Sequence, residues 1–155
     1  MNDNRPFIDK SQPEVYRAMV RTAQASRAAA NEAGLTDALI ELVNTRVSQI
    51  NGCRTCLGIH APAARKAGVD PVKIDVLAAW YEAEVFDAQE RAALRLAESL
   101  TVIDKTADRD AIAAEVGEHF TSEQIGALEW SIVLINSFNR ISIASDHPVI
   151  GAKRA

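Results

Sequence analysis

The chain has 155 residues, a formal net charge of −4, 48% hydrophobic residues and 25% charged ones. That length suits one domain spanning residues 1–155 with a real core. Lys and Arg are scattered instead of clustered, which argues against a nucleic-acid partner because phosphate binding needs a basic patch. No apolar run reaches the ~18 residues of a membrane span, and the opening Met-Asn-Asp-Asn-Arg-Pro lacks the design of a signal peptide. A cytoplasmic protein with no membrane partner is expected.

The elements read as helix after helix. Ser11-Gln12-Pro13-Glu14 has the form of a capping box, opening a helix to about Ala33, with Gly34 ending it. Leu35 or Thr36 opens the next. Leu35, Ala38, Leu39, Leu42, Val43, Val47 and Ile50 recur at helical spacing, while Glu41, Thr45 and Ser48 fall on another face. Asn51-Gly52 breaks this helix. A third runs to Ala67, with Gly68 just past its end. Asp70-Pro71 caps and starts a fourth, through about Trp80. Asp87-x-x-Glu90 opens a fifth, and Asp108 to His119 a shorter sixth. Thr121-Ser122-Glu123-Gln124 caps the last, to about Ala144. Ile132, Val133, Leu134 and Ile135 run consecutively there, so its apolar residues cover more than one side. The tail from Asp146 to Ala155 is expected to be loosely ordered. No strand alternation, low-complexity segment or repeat is present. The fold class is all-α.

The chemistry concentrates in Gly52-Cys53-Arg54-Thr55-Cys56-Leu57-Gly58-Ile59-His60, which holds both cysteines and one of three histidines. Cys53 and Cys56 stand at i and i+3, close enough to bridge. Cys56 and His60 stand at i and i+4 and so share a face. Two cysteines this close cannot staple distant parts of a fold, so the pair reads as redox or metal chemistry. Sulfur chemistry needs a thiolate. Cys53 is favoured by the helix N-terminus and Cys56 by His60; the residues alone leave the choice open. His119 and His147 read as structural. Trp80, Tyr81 and Phe138 read as core or interface, and Asn136 and Asn139, polar in an apolar helix, each need a partner.

The pattern Glu41-x11-Cys53-x2-Cys56-x3-His60 resembles the signature of the alkylhydroperoxidase D (AhpD)-like proteins of the carboxymuconolactone decarboxylase superfamily. Arg46-Val47-Ser48-Gln49-Ile50-Asn51-Gly52, Ala64-Arg65-Lys66-Ala67-Gly68, Leu77-Ala78-Ala79-Trp80, Asp87-x2-Glu90-Arg91-Ala92-Ala93-Leu94 and Ile135-Asn136-x-Phe138-Asn139-Arg140 resemble its flanking landmarks. The likeness spans about residues 14–144. It implies a compact multi-helix domain with the CxxC at the N-terminus of a central helix, a disulfide-cycling peroxidase site, and a homo-oligomer between dimer and hexamer. Cys56 would be the peroxidatic thiol and Cys53 the resolving one. Glu41 and His60 would relay the proton, and an external dithiol of lipoyl or thioredoxin type would reduce the disulfide. Two departures stand out. Thr55 occupies a position where some members carry a further histidine, and Pro62 falls inside the expected helix, where a kink with slack from Gly58 is expected.

The leading reading is therefore a thiol-dependent alkyl hydroperoxide reductase. Lactone decarboxylation, the other activity of the superfamily, works by proton transfer and has no use for paired thiols. A metal-binding or redox-sensing module is the third reading, with Cys53, Cys56, His60 and Glu41 as four ligands. Without a Gly-rich phosphate loop, no nucleotide, flavin or other cofactor is expected.

Overall fold

The computed structural model describes residues 5–150. Every regular element among them is helical: α1 (Ile8–Ser11), α2 (Pro13–Glu32), α3 (Asp37–Asn51), α4 (Arg54–Lys66), α5 (Pro71–Asp75), a 3₁₀ turn (Leu77–Ala79), α6 (Ala88–Val102), α7 (Arg109–Gly117) and α8 (Ser122–Ala144). The starts follow from side-chain oxygens that take up N–H groups orphaned in a first helical turn. Thr36, Asp70 and Asp108 cap α3, α5 and α7. Asp87 with Glu90, and Thr121 with Gln124, form complete capping boxes on α6 and α8. None of the described helices is long and apolar enough to cross a membrane.

Helix α3 is the axis of the structure. One stripe of it, Leu39, Ile40, Val43 and Val47, packs with Ala92, Ala93 and Leu96 of α6 and with Leu128, Ile132 and Ile135 of α8. Leu42, on another side, joins Ala64 of α4 and Leu77, Trp80 and Phe86 in a second cluster. Burial on both sides leaves α3 almost no solvent face. That is why Glu41, Thr45 and Ser48, expected away from the first stripe, are buried as well.

Three sequence expectations are corrected. The capping box at Ser11 does not form. Ser11 closes the short α1, where its hydroxyl donates to the Ile8 carbonyl at 3.3 Å, and Glu14 pairs with Arg17. Helix α2 starts at Pro13 behind an uncapped Gln12; a proline there has no N–H to satisfy and its φ is already helical. The helix expected from Pro71 to Trp80 is split into α5 and a 3₁₀ turn. Ile74, Leu77 and Trp80 are all buried, and a three-residue turn aligns residues three apart on one side. Third, the tail is held as far as Ile150. Arg54 Nε donates to the His147 carbonyl at 3.0 Å, and the His147 ring stacks on Phe7 and bonds Asp9 at 3.1 Å. Residues 151–155 of the expected loose tail lie outside the described part.

Helix α4 continues through Pro62 to Lys66. Gly58, read as slack for a kink, also serves the tail. A Cβ at that position would sit 3.2 Å from Val149 Cγ1, so the absent side chain makes room for the tail.

Helix α8 buries Ile132, Leu134 and Ile135 within its own chain, whereas Val133 and Trp130 stay 49% and 59% exposed. Its polar residues find partners nearby. Asn51 Nδ2 donates to the side-chain oxygens of Asn136 and Asn139, each at 2.9 Å. Asn136 donates in turn to Thr101 at 3.0 Å, and Asn139 to Ser48 at 3.2 Å. This network fixes the end of α3, and hence the cysteine turn, against α8. Asn51→Ala should leave the Asn139 oxygen buried without a donor, whereas Arg140 still serves Asn136. We expect a loss of about 1–3 kcal/mol of stability. Urea melts should show a lower midpoint at constant slope; an unchanged midpoint would count against the network.

Candidate active site

The site begins where α3 ends. Gly52 takes a left-handed backbone with φ 66°, a conformation without penalty for glycine. It turns the chain so that the Cys53 N–H donates to the Ser48 carbonyl at 3.0 Å. Cys53 is the N-cap of α4, and its sulfur accepts from the Cys56 N–H at 3.3 Å. The two cysteines are joined as a disulfide with Cα atoms 5.3 Å apart. Both are buried.

One turn after Cys56, His60 points its Nδ1 at Glu41 Oε2, 2.7 Å away. The other carboxylate oxygen, Oε1, accepts from Arg27 of α2, which also reaches Asp37 at 3.0 Å. Glu41 is only 6% exposed. Burial alone would raise its carboxyl pKa, but the His60 hydrogen bond, the charge of the imidazole and the Arg27 guanidinium together hold it below its ordinary 4.5. The carboxylate is therefore ionised at neutral pH. An ionised carboxylate only accepts hydrogen bonds, so Nδ1 of His60 is the donor. In the neutral ring Nε2 then carries the free lone pair. The chain Arg27–Glu41–His60 thus fixes the tautomer of a base one helical turn from Cys56.

A cavity of about 280 Å³ opens over this chain. Tyr16, Ile40, Ile59, Leu134, Ile135 and Phe138 give it apolar walls, and Cys56, His60, Arg27, Ser26, Asn44 and Ser131 its polar lining. The Ser26 hydroxyl is buried there and has no hydrogen-bond partner among the described residues.

The four expected residues, Glu41, Cys53, Cys56 and His60, thus meet at the junction of α3 and α4. The sequence reading missed Arg27, Ser26 and Tyr16 on α2, and Phe138, read as core or interface, lines the cavity. Nothing local marks Arg27 among the arginines of α2. Thr55, the departure from the resembling proteins, has its hydroxyl 2.7 Å from the His147 carbonyl and 3.0 Å from that of Pro148. Where a second histidine would stand, this chain anchors its tail. Glu41 has both oxygens engaged by Arg27 and His60, so it is not presented as a fourth metal ligand. Among the described residues no group of three His, Cys, Asp or Glu is placed to hold a metal ion.

An all-helical chain with a CxxC disulfide at a helix start, backed by a buried carboxylate–imidazole pair, defines a class, and the comparisons agree with it. The model of the carboxymuconolactone decarboxylase family matches residues 13–99. The uncharacterized protein YdfG of Bacillus subtilis is 43% identical over 104 residues, covering 67% of this chain and 71% of that one. The uncharacterized protein YnjA of Escherichia coli is 30% identical over 113 residues, 73% of this chain and 62% of its own length. A crystal structure from Agrobacterium tumefaciens, of a protein of unknown function proposed as an antioxidant defence protein AhpD, superposes with a TM-score of 0.83 at 29% identity. It covers 96% of this chain and 99% of the other. An uncharacterized peroxidase-related protein from Silicibacter sp. TM1040 gives 0.67 at 26% identity, over 79% and 67% of the two chains. The chain belongs to the carboxymuconolactone decarboxylase family, as an AhpD-like member.

The depressed carboxyl pKa of Glu41 carries a sign. Its stabilising share is complete above the unfolded value of 4.5 and is lost as pH falls through the lower folded value. Glu41→Gln should therefore melt below wild type at neutral pH, and the gap should close on acidification. A gap of constant size down the acid limb would show that the carboxylate's charge is not what stabilises.

Proposed function

We propose that the protein is a thiol-dependent peroxidase that reduces alkyl hydroperoxides. The observation that carries this reading is the Arg27–Glu41–His60 chain, which ends one helical turn from a CxxC sulfur inside an apolar cavity. His60 takes the Cys56 proton on Nε2, and the ring's gain of charge is balanced by the Glu41 carboxylate. The thiolate attacks the distal oxygen of the hydroperoxide. The O–O bond breaks, Cys56 becomes a sulfenic acid, and the alcohol leaves with the proton held by His60. The Cys53 thiol condenses with the sulfenic acid, releasing water and forming the Cys53–Cys56 disulfide. An external dithiol of lipoyl or thioredoxin type then reduces it and is itself oxidised to a disulfide. A cytoplasmic setting suits a cycle that needs a steady supply of dithiol.

Several features support this over lactone decarboxylation. That reaction moves protons and would leave both sulfurs idle. The apolar walls suit an organic tail.

Cys56→Ser should abolish peroxide consumption. Cys53→Ser should allow one stoichiometric oxidation and no turnover. Glu41→Gln and His60→Gln should slow thiol oxidation by about 10²–10⁴-fold while the protein stays folded. Single-turnover thiol counts, with mass spectrometry of the peptide spanning both cysteines, read all four variants. Sulfenic acid trapped on Cys53 in Cys56→Ser, with none on Cys56 in the converse variant, would reverse the roles of the two thiols.

We also propose a homo-oligomer, from dimer to hexamer, in which a second copy covers Trp130 and Val133. These neighbours on one face of α8 are large, apolar and about half exposed, an uncommon arrangement for a surface that stays wet. Sedimentation at micromolar concentration should give a multiple of 16.8 kDa. Trp130→Glu should shift the protein towards single chains. A wild-type mass of one chain would refute the assembly.

A further inference from the structure

Two cavities reach the disulfide, and each touches a different cysteine. The apolar one is lined by Cys56 and not by Cys53. A second, of about 270 Å³, is lined by Cys53 and not by Cys56. Their linings share only Ser142. The second cavity is polar and lies between the start of α4 and the tail, with Arg5, Arg54, Thr55 and Asp146 around Cys53. Arg54 and Arg5 stand 2.9 Å and 3.6 Å from the same Asp146 oxygen, and all three side chains are about half exposed. Two guanidiniums share one carboxylate, so the ionised side chains of the lining itself sum to one positive charge, with the Asp9 carboxylate behind His147. His147 turns its ring away to Asp9.

We propose that this polar cavity admits the external reductant, an anionic dithiol whose thiolate attacks Sγ of Cys53. The inference rests on the disulfide-cycling reading above and adds a route and a target sulfur to it. Attack at one sulfur of a disulfide expels the other. Attack on Cys53 breaks the S–S bond and joins the reductant to Cys53 as a mixed disulfide. Cys56 leaves as a thiolate into the cavity that His60 lines, where an imidazole can share its proton and the next hydroperoxide arrives. The reductant's second thiol then attacks its own sulfur in the mixed disulfide. That step closes the oxidised reductant and releases Cys53, which takes the second thiol's proton. Attack on Cys56 would instead lodge the reductant in the hydroperoxide cavity and expel Cys53 away from the base. With one cavity per sulfur, oxidant and reductant do not compete for space.

The test uses protein oxidised with diamide, so it needs no peroxide. Dihydrolipoate and dihydrolipoamide share one dithiol and differ in a single charge. In single-turnover reduction at low salt, wild type should react faster with the acid than with the amide. Arg54→Glu should cut the dihydrolipoate rate about tenfold more than the dihydrolipoamide rate, as expected for a charge at the rim of an encounter site. Arg54→Lys keeps the charge and should keep the wild-type preference, which separates charge from any loosening of the tail. Acid quenching after reaction with 2-mercaptoethanesulfonate should place the mixed disulfide on Cys53 and leave Cys56 open to alkylation. An adduct on Cys56, or equal loss with both dithiols in Arg54→Glu, would overturn the proposal. Wild type that consumes no peroxide yet is still reduced through Cys53 would remove the peroxidase reading and leave this route standing.

Discussion

A carboxylate taken out of water stays charged only if opposite charges and donors replace the water. Glu41 is in that position, on the most enclosed helix of the structure. Its two oxygens are satisfied from two directions, by Arg27 of α2 and His60 of α4. One group therefore fixes how three helices sit against one another at the site. Without α2, the carboxylate would lose a cation, and His60 alone would oppose the effect of burial. Without the ionised carboxylate, His60 would lose the partner that dictates its tautomer. The bond between Glu41 and His60 thus acts twice. It ties α4 to α3 at the site, and it leaves the second imidazole nitrogen with a free lone pair.

The disulfide depends on the same junction through the backbone. Asn51 ties the last turn of α3 to α8, Gly52 reverses the chain, and Cys53 starts α4 with its sulfur as the cap. A helix start concentrates unpaired N–H groups, which favours negative charge on nearby sulfur. The geometry that opens the helix is therefore also one that would favour a thiolate there once the disulfide is reduced. On the outer side the tail closes over this start, held by Arg54 and Thr55 and admitted by the missing side chain of Gly58.

Much of this was legible because it is local. Capping residues at fixed offsets, such as Asp87 with Glu90 and Thr121 with Gln124, state a helix start within four positions of sequence. The spacing from Cys53 to His60 states a shared face within two turns. Glu41 was legible only through resemblance, since a lone glutamate on a helix ordinarily reads as a solvated one. What stayed hidden depends on contacts far apart in the chain. Arg27 differs from its neighbouring arginines only because its side chain reaches Asp37 and Glu41 of α3. The tail is pinned largely through the carbonyls of His147 and Pro148, and backbone carbonyls carry no sequence signal. Ser11 shows the converse failure, a correct local pattern overridden by a short helix that ends on it.

The asymmetry of the two cavities follows from which helices flank each sulfur. Cys56 lies inside the first turn of α4 and lines the cavity walled by residues of α2, α3 and α8, together with the imidazole. Cys53 lies one residue outside the helix, where the chain is irregular and the neighbours are the polar ends of α4 and the tail. A CxxC at a helix start therefore divides its surroundings by construction: the inner cysteine faces packed helix, and the capping cysteine faces loop. The proposed cycle, with an organic oxidant and a charged reductant, would meet two environments of the matching kind at one bond. The tail holds the charge of the second environment in place, because Asp146 and the carbonyl of His147 fix Arg54 at the cavity that Cys53 lines. The structural use of Thr55 as an anchor for that tail and the chemical division of the site are thus parts of one arrangement.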